Sequence, residues 1–301
     1  TTTTTTTTTT PTAFKLTSAA TDNYQGSVSD PDNQGNTITG NQLTFTAADI
    51  INAGSGTDTL AITNSAANGG VTPADLTGVE NIQMTSSGAS SINLVVASGV
   101  TKVISLDSTA NDSFFNIQSL ASVEVDGSTN VVVVEYDNAL AGATATVSVE
   151  VKGGATLSEL SISGSGTAEF GTISITSSGT TANTITLIED QASSALGDLV
   201  TLNVSGAADL TLGTGLTAVA ANNSASDMTL DAGTATGNLT VTGTNFENIT
   251  LGSGDDTLNL SASQVSDTST AGQVVLDGGA GANTLAFGEQ DLSASGLANQ
   301  S

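Results

Sequence analysis

Three short stretches carry residue types at a spacing that suits a hard metal ion: NAGSGTDTL (Asn52–Leu60), LGSGDDTLN (Leu251–Asn259) and DGGAGANTL (Asp277–Leu285). Each places glycines two apart, Asp or Asn two residues after the second glycine, and Leu two residues further on. With lapses this follows the calcium-binding nonapeptide G-G-x-G-x-D-x-U-x. Glycines let the backbone turn tightly and aim successive carbonyl oxygens at a cation, the carboxylate adds charge, and the Leu enters the core of the next strand. The candidate calcium ligands are therefore Asn52, Gly54, Gly56 and Asp58; Gly252, Gly254, Asp255 and Asp256; and Asp277, Gly279, Gly281 and Asn283.

Other chemistry is scarce. With no His and no Cys, catalytic triads, thiol catalysis and imidazole-bearing zinc or iron sites cannot form. Acidic pairs such as Asp255 with Asp256, or Glu189 with Asp190, leave a glycosidase-like carboxylate pair as the one conceivable active site. Sugar sites stack rings on aromatic faces, and this chain has 3% aromatics and no Trp. We expect no enzyme. DPDNQG (Asp30–Gly35) imitates the start of an EF-hand loop, but Asn41 stands at the twelfth position where Glu is needed. A polar surface turn is the better reading. Phe114 and Phe115 are expected to split, one ring in the core and the other outward.

Charge narrows the partners. Lys15, Lys102 and Lys152 are the only basic residues against 29 acidic ones, for a formal charge of -26. Nucleic acid is excluded, because phosphate binding needs Lys and Arg clusters, and attraction to anionic lipid is excluded on the same ground. Divalent cations would offset the self-repulsion; alternatively the charge only keeps a secreted protein in solution. No disulfide can staple the fold. No apolar run has the length to span a bilayer, so membrane insertion is not expected. The chain opens on Thr without a charged-then-apolar leader, which predicts either a leader already removed or a fragment of a longer exported chain.

These turns must be held by some framework. Thr1–Thr10 followed by Pro11 reads as a Thr-rich linker over residues 1–12, or as a fragment boundary. Beyond it, Val, Ile, Leu and Thr alternate in runs of four to seven residues, such as ISITS (Ile173–Ser177), VTLNVS (Val200–Ser205) and LTVTG (Leu239–Gly243). Period-two alternation predicts strands. Runs about ten residues apart leave no room for crossover helices, so the choice lies between a β-sandwich and a coil of stacked rungs. Few aromatics and recurrent Gly and Asn corners favour the coil. The expected fold is all-β, a right-handed parallel β-helix or β-solenoid spanning residues 13–301, with short irregular turns. One-turn helices are expected at AADI (Ala47–Ile50), PADL (Pro73–Leu76) and SSALGDL (Ser193–Leu199). DLTGVENIQM (Asp75–Met84), SLASVEVDG (Ser119–Gly127) and TNFENITLG (Thr244–Gly252) suggest a degenerate rung of about twenty residues in which Glu80, Glu124 and Glu247 are equivalent.

Together the Gly-Asp turns, the DLTGVENI pattern, the Thr/Ser/Ala/Gly-rich β composition, the acidity and the lack of Cys resemble the calcium-binding repeat-in-toxin class. Within it the chain is most similar to bacterial surface-layer proteins. That resemblance implies a secreted protein of the bacterial cell surface, ordered by Ca2+ outside the cell and self-associating into a homo-oligomeric lattice or filament, with cell-surface polysaccharide as a further partner. Its export signal is not recognisable in Asp291–Ser301. The alternative expectation is an adhesin or biofilm-matrix module that binds glycans or surfaces from a Thr-rich stalk.

Overall fold

The structure, a computed structural model, describes residues 13–18, 21–26, 35–165, 170–189, 201–213, 228–243, 246–260 and 275–287. The Thr tract, the first five residues of DPDNQG, the SSALGDL segment and the stretch from Asp291 onward lie outside the described residues.

Among the described residues, strands β1 to β27, numbered in chain order, all pair in parallel and stack coil upon coil into a β-solenoid. A 12-stranded sheet runs its whole length, from β1 (Ala13–Lys15) to β26 (Val275–Asp277), and an 11-stranded sheet runs beside it from β6 (Asn68–Val71) to β27 (Thr284–Phe287). A third sheet of four strands, from β2 (Asn23–Gln25) to β10 (Ala97–Ser98), closes only the N-terminal coils. The cross-section thus changes from three-sided to two-sided after Ser98.

Alternation is what makes each segment a strand. In β8 (Asn81–Ser86) and β11 (Lys102–Leu106) every second residue is buried, because successive side chains leave a strand on opposite faces. Parallel in-register pairing then aligns these residues into rows: Ile38 on Leu60, Leu60 on Ile82, Ile82 on Val103, Val103 on Val123. All five are at most 1% exposed. Large rings also enter the core, with Tyr136 edge-on to Phe170 at 5.2 Å between centroids. Phe114 is fully buried and Phe115 half-exposed, the split that alternation predicts.

Two expectations need correction. AADI and PADL are not one-turn helices: Ala47 and Ala48 form a turn, Ile50 opens strand β4 (Ile50–Asn52), and Asp75 and Leu76 lie in β7 (Asp75–Thr77). The third sheet claims them, since Ile51 pairs with Leu76 and their backbone groups gain partners in adjacent coils. Nor are the three glutamates equivalent. Glu80 sits at a corner beside Asp58, whereas Glu124 lies mid-strand opposite Ile104. Coil length also varies: bonds between neighbouring coils span 22 residues at Asp58–Glu80, 29 at Gly154–Asn183 and 17 at Leu239–Asp256.

Candidate functional site

The three Gly-Asp stretches lie at two different corners. LGSGDDTLN leads into β25 (Thr257–Leu260) and DGGAGANTL into β27, and these strands are neighbours in the 11-stranded sheet. The two stretches therefore sit on adjacent coils, Asp256 against Asn283, although the residues between them hide the tandem in the sequence. NAGSGTDTL leads instead into β5 (Thr59–Asn64) of the 12-stranded sheet, near the other end of the stack.

Glycine is required at these corners by the close approach of neighbouring coils. A Cβ on Gly281 would lie 2.1 Å from the Gly254 carbonyl oxygen, and Gly281 has φ of +94°. Gly279 is equally constrained, with φ of +65° and the Gly252 oxygen 2.0 Å from a built Cβ. Any L side chain would force the coils apart.

The carboxylates and amides at the corners bind the backbone of the coil next to them. Asp58 accepts from the Asn36 amide at 2.5 Å, and Glu80 accepts from the Asp58 amide at 2.8 Å. Asp49 repeats the arrangement at the third corner, accepting from the Asp22 amide at 2.9 Å. Between the two long sheets, Ser108 accepts from the Ser86 amide, Ser128 from Ser108, Asn183 from Ala155, Asp256 from Leu239 and Asn283 from Asp256, all at 2.8–3.0 Å. Register places these residues in one column along the stack. A strand leaving a corner has amides with no sheet partner, and an inward Ser, Asn or Asp of the adjacent coil satisfies them. The motif residues Asp58, Asp256 and Asn283 belong to this ladder system. The sequence reading missed Ser86, Ser108, Ser128 and Asn183, for which the one available signal was a recurrence of small polar residues at coil-length intervals.

A calcium reading must be fitted to these engaged oxygens. Asp256 is 1% exposed and spends Oδ1 on Leu239, while its buried Oδ2 has no hydrogen-bond partner among the described residues. Burial, opposed by backbone hydrogen bonds, pushes its pKa above the ordinary value, and the Asp255 charge adds to the rise. An orphaned, buried carboxylate oxygen suits a cation. Neighbouring Asp255 accepts from the Ala282 amide at 2.7 Å and Asp277 from the Gly279 amide at 3.0 Å. The side-chain amide of Asn283 donates to the carbonyls of Gly278 and Ala280, so these two oxygens are engaged. Among the described residues no three acidic side chains converge on one point. Asp255 is exposed while Asp256 is buried, so a calcium ion at Asp256 would have to complete its shell from backbone carbonyls.

Elsewhere, Glu124 gathers two of the three lysines, Lys102 at 2.7 Å and Lys152 at 2.8 Å. Burial works to raise the Glu124 pKa, but the two lysines together hold it below the ordinary value, and Glu124 in turn raises that of Lys152. Deeper in the core, the hydroxyls of Ser105 and Ser108 donate to Asp112 Oδ2 at 2.6 and 2.7 Å. Asp112 is fully buried, and burial raises its pKa against the pull of these serines.

Compared with known proteins, the chain matches no family model, no curated protein and no solved structure.

Proposed function

We propose that this is a structural, non-catalytic extracellular protein: an acidic β-solenoid, stabilised by calcium, whose copies assemble into a cell-surface layer or filament. The observation that carries the reading is the buried, unpartnered Oδ2 of Asp256 at a corner where two Gly-Asp turns lie on adjacent coils. Added to it is the corner architecture, which places Asp22 by Asp49 and Asp58 by Glu80 on neighbouring coils, about 4.8 Å apart. Repulsion along such columns falls when divalent cations bind.

Calcium titration followed by circular dichroism and light scattering tests the reading. One site held at a hundredfold excess over its dissociation constant adds about 2.7 kcal/mol to stability, so chelation should lower the melting temperature and shrink the particles. Asp256→Asn keeps the ladder acceptor while removing the charge, and should abolish most of that calcium response. A melting temperature and particle size that ignore calcium would sink the proposal.

An adhesin is the second reading. It draws support from a surface groove of about 260 Å³ lined by Lys15, Thr39, Asn41, Gln42, Thr63 and Ser65. A monomer that binds a carbohydrate array would favour it.

A further inference from the structure

The solenoid's inward rows become exposed at the last described coil. Leu258 and Leu260 are 1% and 6% exposed, but Leu285 and Phe287, which pair with them in β27, are 42% and 53% exposed. Ile249 is 1% exposed and its partner Leu276, in β26, is 37% exposed. Among the described residues β26 is an edge strand of the 12-stranded sheet, and an edge with an apolar row is a template for another strand.

The opposite edge of the same sheet, among the described residues, is β1. Both edges are three residues long, Ala-Phe-Lys and Val-Leu-Asp, and the register that overlaps them fully aligns Ala13 with Val275, Phe14 with Leu276 and Lys15 with Asp277. Phe14 is the inward residue of β1, since it pairs with fully buried Ile38 and its ring lies 4.6 Å from that of Tyr24. Leu276 is the inward residue of β26. The same register sets Lys15 beside Asp277 on the outer face. Two of the three cations in the chain are spent on Glu124; Lys15 makes no ion pair among the described residues, and neither does Asp277.

We propose that β26 of one copy docks on β1 of a second copy, parallel and in register, so that the 12-stranded sheet continues from molecule to molecule with Leu276 against Phe14 and Lys15 against Asp277. The occupant is a second copy because the charge match lies within this chain, which has no other unpaired lysine among the described residues. This inference rests on the self-assembly reading above and specifies its junction.

The absence of native cysteine makes the test clean. Paired strands lie about 4.8 Å apart, within the span a disulfide bridges, whereas β1 and β26 of one molecule are eleven strand spacings apart, about 50 Å. Mixed Lys15→Cys and Asp277→Cys chains should give an oxidised heterodimer, and a Thr176→Cys control on the solenoid wall should not. Charge reversal supplies the second arm. Lys15→Glu and Asp277→Lys should each assemble about tenfold more weakly alone, and a mixture of the two should recover, because every junction then joins opposite charges. Assembly indifferent to both reversals, with no heterodimer, overturns this junction and leaves self-assembly standing. A chain that stays monomeric at all concentrations, with and without calcium, overturns both. Strong hydrogen-exchange protection of Leu276 and Leu285 amides in an isolated monomer would show that the chain's own following segment covers this end, and overturns the docking alone.

Discussion

Replacing Asn183 by Ala should cost about 2–3 kcal/mol, since it removes four hydrogen bonds made by one buried side chain. Asn183 is fully buried. Its Oδ1 accepts from the amides of Gly154 and Ala155 at 3.1 and 3.0 Å, and its Nδ2 donates to the Val151 carbonyl at 3.1 Å and the Ser177 hydroxyl at 2.9 Å. It therefore joins the turn after β15 (Gly142–Lys152) to the coil that follows. After the change Ala155 still donates to the Lys152 carbonyl at 3.2 Å and Val151 still accepts from the Ser178 amide at 2.9 Å, so the Gly154 amide is the group left without its partner. Because each coil touches mainly its neighbours, the loss should be local before it is global. Hydrogen exchange at Gly154 and Ala155 should accelerate strongly, while amides in β3 (Thr37–Asn41) keep their protection. Asn183→Asp preserves both acceptor contacts but loses both donations and buries a charge, so it should rescue little. Unchanged exchange at Gly154 in Asn183→Ala would show that the ladder carries no stability there.

Asp112 yields the second large effect, and its sign depends on pH. A carboxyl whose pKa is higher in the folded than in the unfolded chain favours folding in its neutral form. That contribution is complete below the ordinary value of 3.8 and is lost as pH rises through the raised value. Asp256 and Glu135 shift in the same direction, both chiefly by burial. Glu124 opposes them: its lowered pKa stabilises above the ordinary value and is lost as pH falls through the lowered one. Three raised groups against one lowered group, together with a net charge of -26, predict that calcium-free protein melts at higher temperature on mild acidification from pH 7. Asp112→Asn should raise the melting temperature at pH 7 and flatten this dependence. Asp112→Ala should cost about 1–3 kcal/mol, because the Ser105 and Ser108 hydroxyls lose their closest acceptor and keep only Ser128 Oγ and the Leu106 carbonyl. Melting temperatures measured from pH 7 down to pH 4 decide the matter, and a wild type that loses stability steadily over that range would contradict the assignment.

Strands were legible because burial on a parallel stack imposes period two on every segment: ISITS and LTVTG fall within strands, and so does VTLNVS from Thr201 onward. The Gly-rich corners were legible too, because close approach of neighbouring coils leaves glycine few substitutes. What lay beyond reach was alignment between coils. Repeat lengths of 17 to 29 residues conceal that Asp256 meets Asn283 and that Asn183 shares a column with Ser128. Short apolar pieces such as PADL carry no period of their own, and the third sheet decides their conformation. The roles of Asp58, Asp256 and Asn283 were only half visible: their spacing marks a turn, but the amides they bind belong to other coils.

Every bond between coils points along the long axis. A pull on the two ends therefore loads one interface at a time, and the molecule should lengthen like tape leaving a roll rather than snapping as a unit. Coils of 17 to 29 residues would each release about 60–100 Å of slack. The uneven coil lengths would thus set the step sizes of that unwinding, with the shortest coils giving the smallest steps.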